Sequence, residues 1–225
     1  MKVTAFVPMK LNNERLPGKN TKAFTNGRPL CCYILETLKE VIGIDEIYVY
    51  CSDEKIKEFL PENIHFLKRS RELDQSSTKI NEVLKAFASE VASDIYVLAH
   101  ATAPFLLVKT IEEGIRAVKS QGYDSAFSVL KQQDFFWKDG KPLNYSPECV
   151  VRTQDLKPYY RETTGLYIYT RQLIMKEGRR IGRHPYLIET TQAEAADINE
   201  PEDFLLADAI YNFCLKDRER EKGYE

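Results

Sequence analysis

The sequence predicts an α/β fold around a mainly parallel sheet, and three observations carry that prediction. Five short apolar strands alternate with helical segments over the first 130 residues, the rhythm of strand, helix and returning strand. Val3 to Val7 and Asp94 to Ala99 are almost continuously apolar and rich in β-branched or aromatic types, as strands covered on both faces are. The chain has 225 residues, 43% of them hydrophobic, which is enough for one good core. A single domain, 1–225, with a small appendage is therefore expected.

In chain order, the strand Val3 to Val7 runs into a polar, basic loop that ends near Lys22. Pro29 and Leu30 open a helix to about Val41, with Leu30, Ile34, Leu38 and Val41 on one face. Glu46 to Cys51 is a second strand, and Ser52-Asp53 can cap a short helix to about Leu60. Ile64 to Leu67 is a third strand, ended by the basic segment Lys68 to Glu72. The helix after it turns Ile80, Val83, Leu84 and Phe87 inward. Asp94 to Ala99 is the fourth strand, stopping at His100-Ala-Thr-Ala-Pro104; Thr110 to Val118 is helical and Ser125 to Leu130 is the fifth strand. At Gln132 the pattern changes, and 132–164 reads as an inserted arm or lid. It opens with a hairpin around Asp139-Gly140 and goes on through an irregular stretch from 145 to 164. Gly165 to Tyr169 and Pro185 to Ile188 read as further strands, Glu200 to Leu215 as a final helix, and the charged tail from Lys216 as frayed.

Composition narrows the function classes. Lys and Arg number 32 against 34 Asp and Glu, a formal charge of -2, which argues against a general nucleic-acid surface. No apolar run approaches the roughly 20 residues of a membrane span, and the N-terminus lacks a signal-peptide pattern. A cytoplasmic protein without membrane attachment is expected. The five cysteines are scattered with no C-x-x-C pair, and the three histidines lie far apart. They read as reduced core thiols and as no zinc site.

The first thirty residues nevertheless hold six Lys or Arg against one acid, Glu14. Lys10, Arg15, Lys19 and Lys22 stand among Asn12, Asn13 and Asn20, with Gly18 giving backbone freedom and Pro17 fixing φ. Such a loop can offer amide donors and cations to polyphosphate oxygens; a plain solvated loop is the competing reading. Neither G-x-G-x-x-G nor G-x-x-x-x-G-K-[ST] is present. In open α/β sheets ligands sit beyond the carboxyl ends of the strands, which brings the loops after Val7, Cys51, Leu67 and Ala99 to one edge.

Near the C-terminus, Asp197 and Asn199 are two apart, so in an extended segment both oxygens can face one hard cation. A divalent ion there, opposite the basic loop, suits nucleotidyl transfer. Capping of the helix that begins near Glu200 is an equally open use of either residue.

These segments resemble the CMP-sialic acid synthetases (acylneuraminate cytidylyltransferases) and their relatives acting on 3-deoxy-manno-octulosonate. That family opens with A-R-x-x-S-x-G-x-P-x-K-N and then G-x-P-L; here Met9 to Asn20 and Gly27-Arg-Pro-Leu30 stand in those places. The family's R-P-x-x-L, Q-P-T-S-P, R-Q-D-L-P, E-N-G-A-I-Y and D-I-D-x-P-E-D correspond to Arg69-Ser-Arg-Glu-Leu73, His100-Ala-Thr-Ala-Pro104, Arg152-Thr-Gln-Asp-Leu156, Glu162 to Tyr167 and Asp197-Ile-Asn-Glu-Pro-Glu-Asp203.

The resemblance implies a three-layer Rossmann-like nucleotidyltransferase fold of the glycosyltransferase-A-like kind. It implies a magnesium-dependent cytidylyltransferase that joins CMP from CTP to an acidic keto-sugar, sialic-acid-like, in cell-surface glycan synthesis, and a homodimer formed through the arm. Lys19, Lys10 and Asp197 take the catalytic places. Lys10, Asn12, Asn13, Arg15, Lys19, Asn20, Arg69 and Thr102 take the nucleotide side. His100, Lys138, Arg152 and Glu162 take the acceptor side, and Asp197 with Asn199 the Mg2+.

Lys138 is equally readable as an exposed hairpin residue, and the rings of Phe135, Phe136 and Trp137 as packing on the parent domain. Three departures stand out: Asn199 for the second metal carboxylate, Glu14-Arg15 for Lys-Gly, and His100 for glutamine. Transfer to a phosphorylated sugar or a phosphonate, and a weakened nucleotide-binding homologue, are the alternatives.

Overall fold

The computed structural model describes residues 1–216; the charged tail beyond Lys216, expected to fray, lies outside the described residues. A seven-stranded sheet is built from β1 (Val3–Met9), β2 (Glu46–Cys51), β3 (His65–Lys68), β4 (Ile95–Ala99), β5 (Ser125–Gln132), β8 (Tyr159–Thr170) and β9 (Pro185–Glu189). Its order is β3-β2-β1-β4-β8-β5-β9. All neighbours pair in parallel except those of β8, which runs antiparallel to both β4 and β5. The helices are α1 (Leu30–Glu40), α2 (Ile80–Glu90), α3 (Val108–Ser120), α4 (Arg171–Glu177) and α5 (Pro201–Ile210). Among the described residues no helix is long and apolar enough to cross a membrane.

The sheet is covered on both faces, which is why β1 and β4 are apolar throughout. On one side Val3, Ala5, Val7, Val49 and Val97 meet Ile34, Leu35 and Leu38 of α1 and Ile111 and Ile115 of α3. On the other, Phe6, Tyr50, Tyr96 and Tyr169 meet Val83, Leu84 and Phe87 of α2 and Leu173 and Ile174 of α4. Phe6 stacks on Phe87 with ring centroids 4.0 Å apart. Each such fully buried side chain contributes roughly 1.5–3 kcal/mol. A third cluster, around Phe24, joins Leu16 of the first loop to Phe204 and Tyr211 and to Tyr33 of α1. It clamps the basic loop between α1 and α5.

Several elements differ from the sequence reading. β1 continues through Pro8 because its pairing with β4 ends at Phe6 while that with β2 runs on to Met9. At that end the strand is an edge, where a missing N–H does no harm. The segment after Asp53 is 3-10 rather than α, over Glu54–Phe59, with the Asp53 side chain accepting from Lys55 N. β8 begins at Tyr159, six residues before the expected Gly165, and its first half pairs with the end of β5. The stretch before it holds the hairpin β6 (Trp137–Lys138) and β7 (Lys141–Pro142), turned by Asp139 and Gly140 at φ 51 and 73. Two successive positive φ values mark the turn geometry that suits a two-residue hairpin.

Candidate active site

The first loop is tied down from within. Asn20, buried, donates from Nδ2 to the main-chain oxygen of Lys10 at 2.9 Å, closing the loop on itself. Gly18 takes a left-handed φ of 67, the conformation that turns the chain into Lys19–Thr21. Lys19 is 8% exposed, and its Nζ donates to the main-chain oxygen of Ile198 at 2.7 Å. Burial pushes its ammonium below the usual lysine range; Arg15 adds to that and Asp197 opposes it. Among the described residues no second acceptor bonds this ammonium, which has three donors. Asn13 Oδ1 is buried and has no hydrogen-bond partner among the described residues. A buried polar atom so placed costs about 1–3 kcal/mol unless a ligand or water supplies a donor.

Asp74 organises the neighbouring edge. Arg69, buried, donates to its Oδ1 from Nε at 3.0 Å and Nη2 at 2.5 Å, while Ser52 Oγ donates to Oδ2. Lys10 Nζ donates to the Asp74 main-chain oxygen at 3.2 Å. Two cavities of about 270 Å³ flank this cluster. One is lined by Met9, Lys10, Arg69, Gln75 and His100, the other by Asn12, Ser52, Asp53 and Arg71.

Asp197 and Asn199 come to the same edge. Ile198 N donates to Thr102 O at 2.9 Å, fixing the segment beside the loop after β4. Asn199 Nδ2 donates to Asp197 Oδ2 at 2.8 Å, and Thr164 Oγ1 reaches the same oxygen at 3.2 Å. Arg15 Nη2 donates to Asn199 Oδ1 at 2.8 Å, and its Nη1 to Glu200 Oε1 at 3.2 Å. The open question of capping is answered by Asp203, whose Oδ2 accepts from Asn199 N and Glu200 N at 2.9 and 2.8 Å. Those amides hold its carboxyl below the usual range. Asp197 and Asn199 are thereby left for other work.

The other half of this edge hangs on β8. Between Phe127 and Val129 of β5 the register jumps from Tyr167 to Glu162, so β8 bulges. Ser128 fills the gap, its Oγ accepting from Thr163 Oγ1 at 2.6 Å and Leu166 N at 3.1 Å. In the bulge Thr164 sits at φ 59, a strained conformation for a β-branched residue, and there its hydroxyl meets Asp197. Gly165 packs against the loop after β4: a Cβ there would lie 2.7 Å from Ala103 Cβ, and its oxygen accepts from His100 N at 3.0 Å. His100 keeps some surface, yet the protein crowded around it, with Arg180 nearby, pushes its imidazole down to about 4. Glu162 accepts from the Tyr167 hydroxyl, and burial raises that phenol well above its ordinary range.

The structure thus brings Lys10, Asn12, Asn13, Arg15, Lys19, Asn20, Arg69, His100, Thr102, Glu162, Asp197 and Asn199 to one edge. It does not bring Lys138 or Arg152 into that network. Lys138 lies in the exposed hairpin, and Arg152 pairs with Asp155 three residues on, at 2.8 Å. The arm rings divide: Phe135 and Trp137 pack on Tyr145 of the arm, at 4.5 and 6.2 Å, while Phe136 packs on Tyr159 at the start of β8, at 5.2 Å. Two residues of the edge escape the sequence reading. Asp74 stands five places after Arg69 in a polar run, and an acid amid that basic segment is the only signal it gives. Arg180 gives none.

Comparison with known proteins bears on the family and the fold. A cytidylyltransferase family description matches residues 4–214. The chain is 26% identical over 216 residues to N-acylneuraminate cytidylyltransferase A of Danio rerio, covering 92% of this chain and 50% of the relative. It is 26% identical over 230 residues to CMP-N,N'-diacetyllegionaminic acid synthase of Legionella pneumophila, covering 93% and 96%. The chain spans about half the length of the first vertebrate relatives it matches. Among solved structures, CMP:2-keto-3-deoxy-manno-octonic acid synthetase with CTP superposes with a TM-score of 0.70 at 14% identity, covering 94% of this chain and 99% of that one. The 4-diphosphocytidyl-2C-methyl-D-erythritol synthase of Anaerococcus prevotii gives 0.68 at 14% identity, covering 94% and 96%. Such identities speak for the fold, and the family match spans nearly the whole chain: it belongs to the cytidylyltransferase family.

Proposed function

We propose that the protein transfers CMP from CTP to an acidic, sialic-acid-like keto-sugar and releases pyrophosphate. A hydroxyl oxygen of the acceptor bonds the α-phosphorus, the bond to the β-phosphate breaks, and the hydroxyl proton leaves to solvent. The observation that carries the reading is Lys19, buried at the sheet edge and held 2.7 Å from the Ile198 oxygen, between Asp197 and Asn199. There it meets the charge that builds on the departing pyrophosphate, with Lys10 in the lining of the cavity that Arg69 and His100 share. Asn12, Asn13, Arg15, Asn20, Arg69 and Thr102 line the nucleotide side; His100 and Glu162 face the acceptor. Lys138 and Arg152, which stand apart on the arm, would reach it only on closure. Residues 1–225 act as one domain with 132–164 as that arm.

The donor set fits Mg2+. Asp197 supplies a carboxylate, and Asn199, whose Nδ2 now donates to Asp197 Oδ2 at 2.8 Å while its Oδ1 accepts from Arg15, would supply its amide oxygen after turning; magnesium is usually held by one or two carboxylates together with substrate phosphates. Among the described residues no group of three His, Cys, Asp or Glu is placed to hold a metal, so phosphate oxygens would complete the shell. When bound, the ion would neutralise and align those oxygens. Arg15 has to release Asn199 for this to happen.

Trp137 and Val150 are 58% and 62% exposed on the arm, which supports a homodimer built there; light scattering tests it. The reading places the reaction in the cytoplasm. Incubation with CTP, Mg2+ and a panel of 2-keto-3-deoxy sugar acids should release pyrophosphate. No turnover with any acid, while CTP still raises the melting temperature, would shift the acceptor to a phosphorylated sugar or a phosphonate. Asn199, an amide where relatives of this type carry a carboxylate, favours one further reading, a weakened nucleotide-binding homologue. Activity that appears only in Asn199→Asp would establish it.

A further inference from the structure

Arg180 is the cation of the acceptor side that the fold itself builds in. α4 starts where β8 ends, and three residues past its last residue the Arg180 side chain reaches Tyr167, which pairs with Leu98 near the carboxyl end of β4. There the Arg180 guanidinium carbon lies over the Tyr167 ring, 3.5 Å from its centroid. Glu162, which accepts from the Tyr167 hydroxyl, stands 3.7 Å from Arg180 Nη2, beyond hydrogen-bond reach. The Arg180 side chain is only 18% exposed, and among the described residues no oxygen accepts a hydrogen bond from it.

The contrast with other covered arginines is plain. Arg69 spends its donors on Asp74, and Arg171 donates to Ala88 O and the Tyr96 hydroxyl. Stacking engages the face of a guanidinium and leaves its edge, where all five N–H groups lie, unspent. A covered arginine with its plane fixed and its donors free is a fork prepared for a planar anion. Glu162 beside it favours a singly charged anion over a phosphate dianion, because each added negative charge is repelled by that carboxylate. His100 links this fork to the nucleotide, since it lines the cavity beside Lys10 and feels the Arg180 charge.

We propose that Arg180 receives the carboxylate of the acceptor through a bidentate pair, with Tyr167 and Glu162 fixing the plane of its guanidinium. This rests on the reading of the protein as a transferase with an acidic acceptor. It places recognition of the acid on the parent domain, whatever the arm adds.

The test compares the best acid of the panel with its methyl ester. In Arg180→Met the KM for the acid should rise about 10- to 100-fold, the range for a lost hydrogen-bonded charge contact, while that for CTP stays within about twofold. The preference for acid over ester should vanish, and Arg180→Lys should fall between. An unchanged acid KM, or a retained preference for the acid in an Arg180→Met protein that still binds CTP, overturns the proposal. A second measurement needs no turnover: the 15N resonance of Arg180 Nε, assigned by its loss in Arg180→Lys, should shift on titration with pyruvate. If no acid is turned over but that resonance shifts, the transferase reading falls and the carboxylate site stands; no shift with excess pyruvate removes the site.

Discussion

The two sides of the cleft are built in different ways. The nucleotide side is a network of internal bonds: Asn20 closes the first loop, Asp74 gathers Arg69, Ser52 and Lys10, and Lys19 is buried on Ile198. The other side has one part in which Arg180 covers Tyr167 beside the exposed Glu162, and one part on the arm, where Phe135 and Trp137 pack on Tyr145. The first side holds its cations on internal acceptors; the arm carries Lys138 on an exposed hairpin and Arg152 in an exposed pair with Asp155. Under the proposed function, chemistry and acceptor choice would fall to regions that differ in how far their charges are bonded internally, joined at β8.

The largest expected effect is on the internally bonded side. Lys19→Ala should lower pyrophosphate release about 100- to 1000-fold, as loss of a preorganised charge donor does; a rate within twofold of the parent would break the comparison. Next comes acidification. His100 titrates at about 4 in the folded protein against roughly 6.5 unfolded, so between these values the unfolded chain binds the proton and the native one does not. Stability should therefore fall as pH drops through that window, by about 3 kcal/mol at 1.36 kcal/mol per unit. Denaturant midpoints at pH 7 and pH 4 check this, and His100→Gln should flatten the slope.

Gly165→Ala acts at the joint. Its new methyl would meet Ala103 at 2.7 Å, and overpacking of this kind costs about 1–3 kcal/mol. A lowered melting temperature together with altered His100 titration would show both sides responding; an unchanged melting temperature would mean the loop gives way freely. The smallest effect is on the arm: Arg152→Ala should change stability by less than about 0.5 kcal/mol, because the Arg152–Asp155 pair is solvent-exposed. A larger loss would show that the arm is anchored more firmly than its packing indicates.

Much of the nucleotide side is legible in sequence because it is local. The apolar run of β1, the Pro29-Leu30 helix start and the loop's Lys and Asn residues lie within thirty positions. Asp197 and Asn199 are legible as a pair, but their freedom from capping is not, since it depends on Asp203 turning back to their amides. The acceptor side hides for the same kind of reason. Tyr159 to Thr164 looks irregular alone and becomes strand only against the end of β5, while α4, at seven residues, is too short to show a period. Arg180 lacks a motif altogether; its meaning comes from the Tyr167 ring beneath it.

Lys10, Arg15, Lys19 and Arg69 each already have an internal acceptor. A small anion would have to displace these partners one at a time for the gain of a single contact. A triphosphate can address several together, so its later contacts form at high effective concentration. Under the proposed function, this pre-paired edge would sort ligands by valence, favouring a chain of three linked phosphates over chloride or orthophosphate.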